Sequence, residues 1–204
     1  GARVKREAFL ERVRSALHRH AREPAESPPS APEALFDWDP LELAETFRRE
    51  LEAVGGRVHP VGGLAEARDR LDEVLEELGV RTILHSREAE VLSLLTPLPR
   101  PVAPVAADAD LGVTAVRCAL AETGTLVLTS ESGRVASLLP MAYVALLRRS
   151  QIVPGLNEAL AQRPETLPSA WVQLTGPSRT ADIELTLTTG VHGPGVVHVL
   201  LLED

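Results

Sequence analysis

One cysteine, one tyrosine, two tryptophans and three phenylalanines are all that 204 residues offer of the groups that carry disulfides, thiolate metal sites and base stacking. A single thiol, Cys118, builds no intramolecular disulfide framework, and it supplies too few ligands for an iron–sulfur cluster or a cysteine-rich zinc site. Cys118 lies in an apolar run and reads as a small buried hydrophobe rather than a nucleophile. No apolar run approaches the ~20 residues of a membrane-spanning helix, and no signal-peptide pattern opens the sequence, so no membrane association and a cytoplasmic location are expected. The histidines His18, His20, His59, His85, His192 and His198 show no metal-ligand spacing, and no metal site is expected. A Walker loop, a Gly-x-Gly-x-x-Gly fingerprint and a serine nucleophile elbow are also missing. Positive charge is in deficit, 21 Lys and Arg against 29 Asp and Glu for a net −8. That balance disfavours nucleic acid as a partner, because binding there is dominated by neutralising phosphates.

What is present is a globular composition, 44% apolar and 25% charged, with Ala, Leu and Val carrying the core. The length suits one domain with a small N-terminal appendage. Residues 1–35 form that appendage. Phe9, Leu10, Val13, Ala16 and Leu17 recur at helical spacing, so 4–20 reads as an amphipathic helix, and 22–32, with Pro24, Pro28, Pro29 and Pro32, as an extended linker. The narrow apolar face of the helix suits docking on the body or on a second copy better than lying on a membrane, which leaves a homo-oligomer open.

Residues 36–204 read as a second, α/β domain. Asp39 caps and Pro40 opens a helix with Leu41, Ala44, Phe47, Leu51 and Val54 on one face, ended by Gly55 and Gly56. A strand at 57–61, a helix at 64–78 and a buried strand at 80–84 follow. This alternation is the signature of a mostly parallel sheet covered by helices. Further on, 88–95 reads as helix, 102–106 as a short strand, 113–120 and 125–129 as apolar stretches, and 132–140 as a loop ending in Pro140. Strands at 142–147, 171–174 and 196–202 and a short helix at 155–161 complete the pattern. The span 183–188 fits helix and strand equally.

Two polar junctions interrupt this pattern. Ala121-Glu122-Thr123-Gly124-Thr125 places a carboxylate, two hydroxyls and a glycine where an apolar strand should continue. Glu122 is either a turn carboxylate satisfying backbone donors, or a general base, a nucleophile or an acceptor for a ligand hydroxyl. The second junction is Thr175-Gly176-Pro177-Ser178-Arg179-Thr180-Ala181-Asp182-Ile183-Glu184, continued by Gly190-Val191-His192-Gly193-Pro194. A strand followed by Gly-Pro-Ser and short polar side chains is how α/β proteins carry a ligand loop, and an ordinary loop with a helix cap is the alternative. Arg179, and Arg134 in its own punctuated loop, suit a carboxylate or phosphate, with Ser178 and Thr180 as further donors. Asp182 and Glu184 read as partners that position Arg179, and His192 is the histidine placed in a ligand-type loop. The candidate site is therefore Glu122 as catalytic group, with Thr123, Gly124, Thr125, Arg134, Gly176, Ser178, Arg179, Thr180, Asp182 and His192 around a small anionic ligand.

Taken in order, the series 119–128, Arg134 through Ser137-Leu138-Leu139-Pro140, Gln151-Ile152-Val153 and the two halves of the second junction resembles the lactate-utilisation protein C family, the LutC/YkgG branch of the LUD domain. The resemblance covers about residue 36 to the end. It implies a three-layer α/β/α fold with a mostly parallel sheet, similar to the NagB/RpiA/CoA-transferase group. It also implies an accessory role beside two iron–sulfur partner proteins that oxidise L-lactate to pyruvate, with no cofactor held by this chain. Two other classes stay open. One is a stand-alone enzyme acting on a small phosphorylated or CoA-linked substrate through Glu122, as the fold analogy suggests; the other is a binding or assembly protein whose N-terminal helix mediates association.

Overall fold

The computed structural model describes residues 6–19, 39–130, 134–162, 168–181, 187–189 and 193–203. The chain divides into two compact units, Gly1–Glu33 and Ala34–Asp204. The first carries helix α1 (Arg6–Arg19), on which Phe9 and Val13 stand exposed.

In the second unit, α2 (Pro40–Ala53) starts as its residues dictate. The Asp39 carboxylate accepts from the Leu41 amide at 2.8 Å, and Pro40, which has no N–H to leave orphaned, takes the first turn. The face it buries is Leu43, Phe47 and Leu51, and Leu41 is left 59% exposed. Strand β1 (Arg57–Val61), helix α3 (Leu64–Glu77), strand β2 (Ile83–His85) and helix α4 (Ala89–Leu94) follow. With β3 (Leu111–Ala115), β6 (Ala142–Arg148) and β11 (Val196–Leu202), the strands β1 and β2 make one five-stranded sheet in the order β1-β11-β6-β3-β2, every pair parallel. Strand β11 lies inside the sheet and is buried on both faces, which is why it reads as an apolar run with His198 as its one polar residue.

Alternate residues of these strands feed two cores. Val61, Leu111, Val113, Val144, Leu146 and Leu200 pack with Leu71, Val74 and Leu75 of α3 and Val91 and Leu94 of α4. Val58, Tyr143, Ala145, Val197 and Val199 pack on the opposite face with α2. The result is a three-layer α/β architecture around a parallel sheet, as the resemblance implied.

The α2 layer also holds a second sheet, in the order β7-β4-β5-β8, formed by β4 (Cys118–Leu120), β5 (Thr125–Thr129), β7 (Ile152–Val153) and β8 (Trp171–Leu174). The apolar stretch 113–120 therefore serves two sheets. The Val116 amide still bonds to Leu146 of the first sheet, and that of Arg117 already bonds to Val127 of the second. Cys118 faces the small core of this second sheet, where burial raises its thiol to about 11.

Four local readings change. The loop expected at 132–140 contains a helical turn, α5 (Arg134–Leu138), followed by the connection into β6. It docks because Gly112 of β3 has no Cβ to collide with the Ala136 carbonyl, a contact that no periodicity reveals. The strand expected at 102–106 reduces to one bridge between Val102 and Ile83, since Pro101 and Pro104 bring no N–H to a ladder. Strand β2 begins later than expected, because the Val80 amide closes the end of α3 on Leu75 instead. In the ambiguous span 183–188, Leu187 begins β10 (Leu187–Thr189), which pairs antiparallel with β9 (Arg179–Ala181); residues 182–186 lie outside the described residues. The short helix α6 (Leu156–Ala161) is as expected. No helix among the described residues is long and apolar enough to cross a membrane.

Candidate functional site

The last carbonyls of a helix have no intrahelical partner, and those of α2 organise the site. Both polar junctions of the sequence come to this end of the helix.

Ala121–Thr123 forms a single 3-10 turn between β4 and β5, and Gly124 closes it at φ 62°. That backbone disfavours any side chain, and a Cβ there would fall on the Leu51 main chain. Gly176 repeats the arrangement after β8, at φ 77°, with its Cβ position 2.7 Å from Val54 Cγ2. Between the two turns runs a line of hydroxyls. Thr123 Oγ1 lies 2.7 Å from Thr125 Oγ1, which lies 2.7 Å from Thr175 Oγ1. Thr125 is buried, while Thr123 and Thr175 are exposed at either end.

Glu122 is exposed on the turn. Its amide donates to the Pro154 carbonyl at 3.0 Å, and its carboxylate lies over Gly155, whose Cβ position is 2.7 Å from Oε1. No described residue donates a hydrogen bond to that carboxylate, so it does not satisfy the turn's backbone donors. Gly155 gives its own amide to Glu158 at 3.1 Å.

Arg179 donates through Nη2 to the Val54 carbonyl, the C-cap residue of α2. A cation there complements the negative end of the helix dipole. The Ser178 amide donates to Pro194 at 2.8 Å, which joins the two halves of the second junction. Arg134 is the first residue of α5, which packs on β3. Asp182 and His192 fall outside the described residues, as do the side chains of Arg134 and Thr180. Glu122, Thr123, Gly124, Thr125, Gly176, Ser178 and Arg179 are thus brought to one seam, with the Arg179 guanidinium held on the helix end.

Two polar groupings went unnoticed in the sequence. Tyr143, the one tyrosine in an aromatic-poor chain, is fully buried with its hydroxyl 2.7 Å from Thr114 Oγ1. Burial raises that hydroxyl, and the Glu88 charge adds to the effect. Ser86 Oγ and one Glu88 carboxylate oxygen are buried without a partner among the described residues. On the other face, His59 Nε2 lies 2.9 Å from His198 Nδ1, and Arg70 Nε donates to His59 Nδ1 at 3.1 Å. The arginine makes Nδ1 of His59 an acceptor, so His59 carries its proton on Nε2 and donates to His198. The signal for this pair was His198 itself, a polar break in the apolar run of β11.

The family described as LUD domain has a model that matches residues 44–202, from within α2 through the last residue of β11. The chain belongs to the LUD-domain family. Within that family it is similar to "Lactate utilization protein C" of Anoxybacillus flavithermus, 32% identical over 97% of this chain and 99% of the relative. The protein of the same name from Geobacillus kaustophilus is 33% identical over 80% of this chain and 70% of its own. That of Bacillus subtilis is 41% identical over 48% and 45%. Among solved structures, this LUD domain has the fold of a DUF162 family protein from Deinococcus radiodurans, with a TM-score of 0.56 and 21% identity over 81% of this chain and 99% of that one.

Proposed function

We propose that this LUD-domain protein is an accessory subunit of an iron–sulfur system that oxidises L-lactate to pyruvate in the cytoplasm, and that it binds a small anionic ligand there. The observation that carries the reading is the end-to-end similarity to a protein named for lactate utilization, 97% of one chain against 99% of the other. The chemistry of the chain is in keeping with it. One cysteine cannot furnish the thiolates of an iron–sulfur cluster, so the electron-transfer groups are assigned to partner proteins. The seam of Glu122, the threonine hydroxyls and the Ser178 loop offers hydrogen-bonding groups without a resident cofactor, with Arg134, Thr180, Asp182 and His192 as its proposed completion. The test is lactate-dependent dye reduction by the iron–sulfur partners with and without this chain. Reduction that needs the chain, together with its co-purification with them, is expected. Full activity in its absence overturns the reading.

A second reading has one observation in its favour: the Glu122 carboxylate is exposed and accepts no hydrogen bond from any described residue. A stand-alone enzyme on a phosphorylated or CoA-linked substrate would use it as base or nucleophile. A covalent adduct trapped at Glu122 would establish this role, and none forms if the chain is an accessory subunit.

A further inference from the structure

In open parallel sheets, ligands settle beyond the carboxyl ends of the strands. The seam described above is at the opposite end of α2, where β1 begins. At the carboxyl ends lies a separate cleft of about 310 Å³, walled by Pro60 of β1, Leu201 and Leu202 of β11 and the first half of α2, including Leu41 and Ala44. Its size is at the lower limit for a ligand pocket, which restricts it to a small molecule.

The charged groups that line it narrow the choice. Arg149, next after the last residue of β6, is half-buried and makes no ion pair or hydrogen bond through its guanidinium among the described residues. The backbone turn that carries it is held by Gln151, whose side chain accepts from the Arg148 amide at 2.8 Å and donates to the Val116 carbonyl at 3.1 Å. A half-buried guanidinium lining an apolar cleft, with no anion beside it among the described residues, suits a carboxylate. Arg48, also in the wall, is already paired with Glu52 at 3.2 Å. Glu45 and Glu203 complete the rim, and neither has a side-chain partner among the described residues. Among the described residues, one unpaired cation beside two unpaired carboxylates disfavours a multiply charged anion such as phosphate. It favours a molecule that presents a single carboxylate to Arg149 and a hydrogen-bond donor to Glu45 or Glu203.

We propose that this cleft binds a small hydroxy or amino acid, with Arg149 receiving the carboxylate, a rim glutamate accepting from the hydroxyl or amino group, and Pro60, Ala44 and Leu201 contacting the hydrocarbon. The site uses no residue of the two sequence junctions. It rests on the accessory-subunit reading only in that both call for a small anion.

Calorimetric titration of the full chain tests it, with L-lactate, L-alanine, pyruvate and inorganic phosphate as probes. The hydroxy or the amino acid is expected to saturate, which also decides between them, and pyruvate, with the same carboxylate but no donor, to bind about tenfold more weakly or worse. Arg149→Gln should weaken the bound probe about tenfold or more, Ala44→Leu should block the cleft, and Arg81→Gln, at an exposed arginine beside the opposite edge of the sheet, should leave binding unchanged; melting curves confirm that each variant is folded. Absence of binding up to about 10 mM, equal binding of pyruvate or phosphate, or wild-type affinity in Arg149→Gln overturns the proposal. Its failure is distinguishable from that of the functional reading. Lactate oxidation that needs the chain but ignores Arg149→Gln removes the cleft alone, and carboxylate binding without such a need removes the accessory role alone.

Discussion

Arg179 donates to the carbonyl of Val54, so a loop 125 residues downstream closes the C-terminus of α2. The approach is possible because the neighbouring residue is Gly55, whose Cβ position is 3.1 Å from the same Nη2. An arginine that sequence alone offers as an anion receptor is a helix cap in the folded chain. Arg179→Ala should therefore cost about 1 kcal/mol of stability in urea unfolding, and Arg179→Lys should recover part of it. An unchanged midpoint in the alanine variant would show the cap to be idle.

The two glycines that meet α2 should differ in cost. At Gly124 an alanine is strained by its backbone and also collides with the main chain of Leu51, which cannot move without α2, so Gly124→Ala should cost about 3 kcal/mol or more. At Gly176 the obstacle is the Val54 side chain, which can rotate, and the cost should be nearer 1–2 kcal/mol. Equilibrium unfolding of the pair checks the order; the reverse order would mean that Gly124 does not hold α2 as described.

Gly155 has an extended backbone, φ −156°, that any residue accepts, so its substitution is limited by Glu122 alone. The exposed carboxylate can swing away. Gly155→Ala should thus cost under about 1 kcal/mol, and the cost should disappear when Glu122→Ala is added. A double-mutant cycle measures the coupling, and additive effects would place the carboxylate elsewhere.

His198 predicts an acid sensitivity. Burial, then the nearby His59 and Arg57, push it down to about 4, and His59 is lowered too, by burial and by Arg70 and Arg57. Glu77 and Glu52 oppose these shifts without reversing them. A proton on Nδ1 of His198 would also meet the Nε2 proton that His59 donates. The unfolded histidine binds a proton near pH 6.5 and the folded one only near 4, so the unfolded state gains protons first as pH falls. Stability is complete above about 6.5 and declines toward 4, by on the order of 2–3 kcal/mol from this residue. Urea unfolding from pH 7 to 4 should show the decline, and His198→Gln should flatten it. Equal slopes in the two proteins would remove His198 as its source.

Much of the fold was legible because its signals are local. Asp39, Pro40 and the Gly55-Gly56 pair bound α2 within the few residues that make its caps, and the strongly apolar run of β11 announces a strand buried on both faces. The break of 113–120 into two sheets was not legible, since Val116 and Arg117 carry no turn signal and are parted by partners at Leu146 and Val127.

The candidate site divides along the same line. By itself the sequence determined the alternation that builds a parallel sheet, a lone cysteine that supplies too few thiolates for a redox cluster, and two polar junctions that break the apolar pattern. Only the tertiary structure decided where those junctions lie and what they touch. It drew Gly124 and Gly176 to the same helix end, placed the Arg179 guanidinium on a carbonyl, and set Arg149, with no anion beside it among the described residues, in a cleft made from α2, β1, β11 and the end of β6. The physical reason is that caps and strand periodicities depend on neighbours in the chain, whereas the partner of a charge is set by packing between segments far apart in sequence.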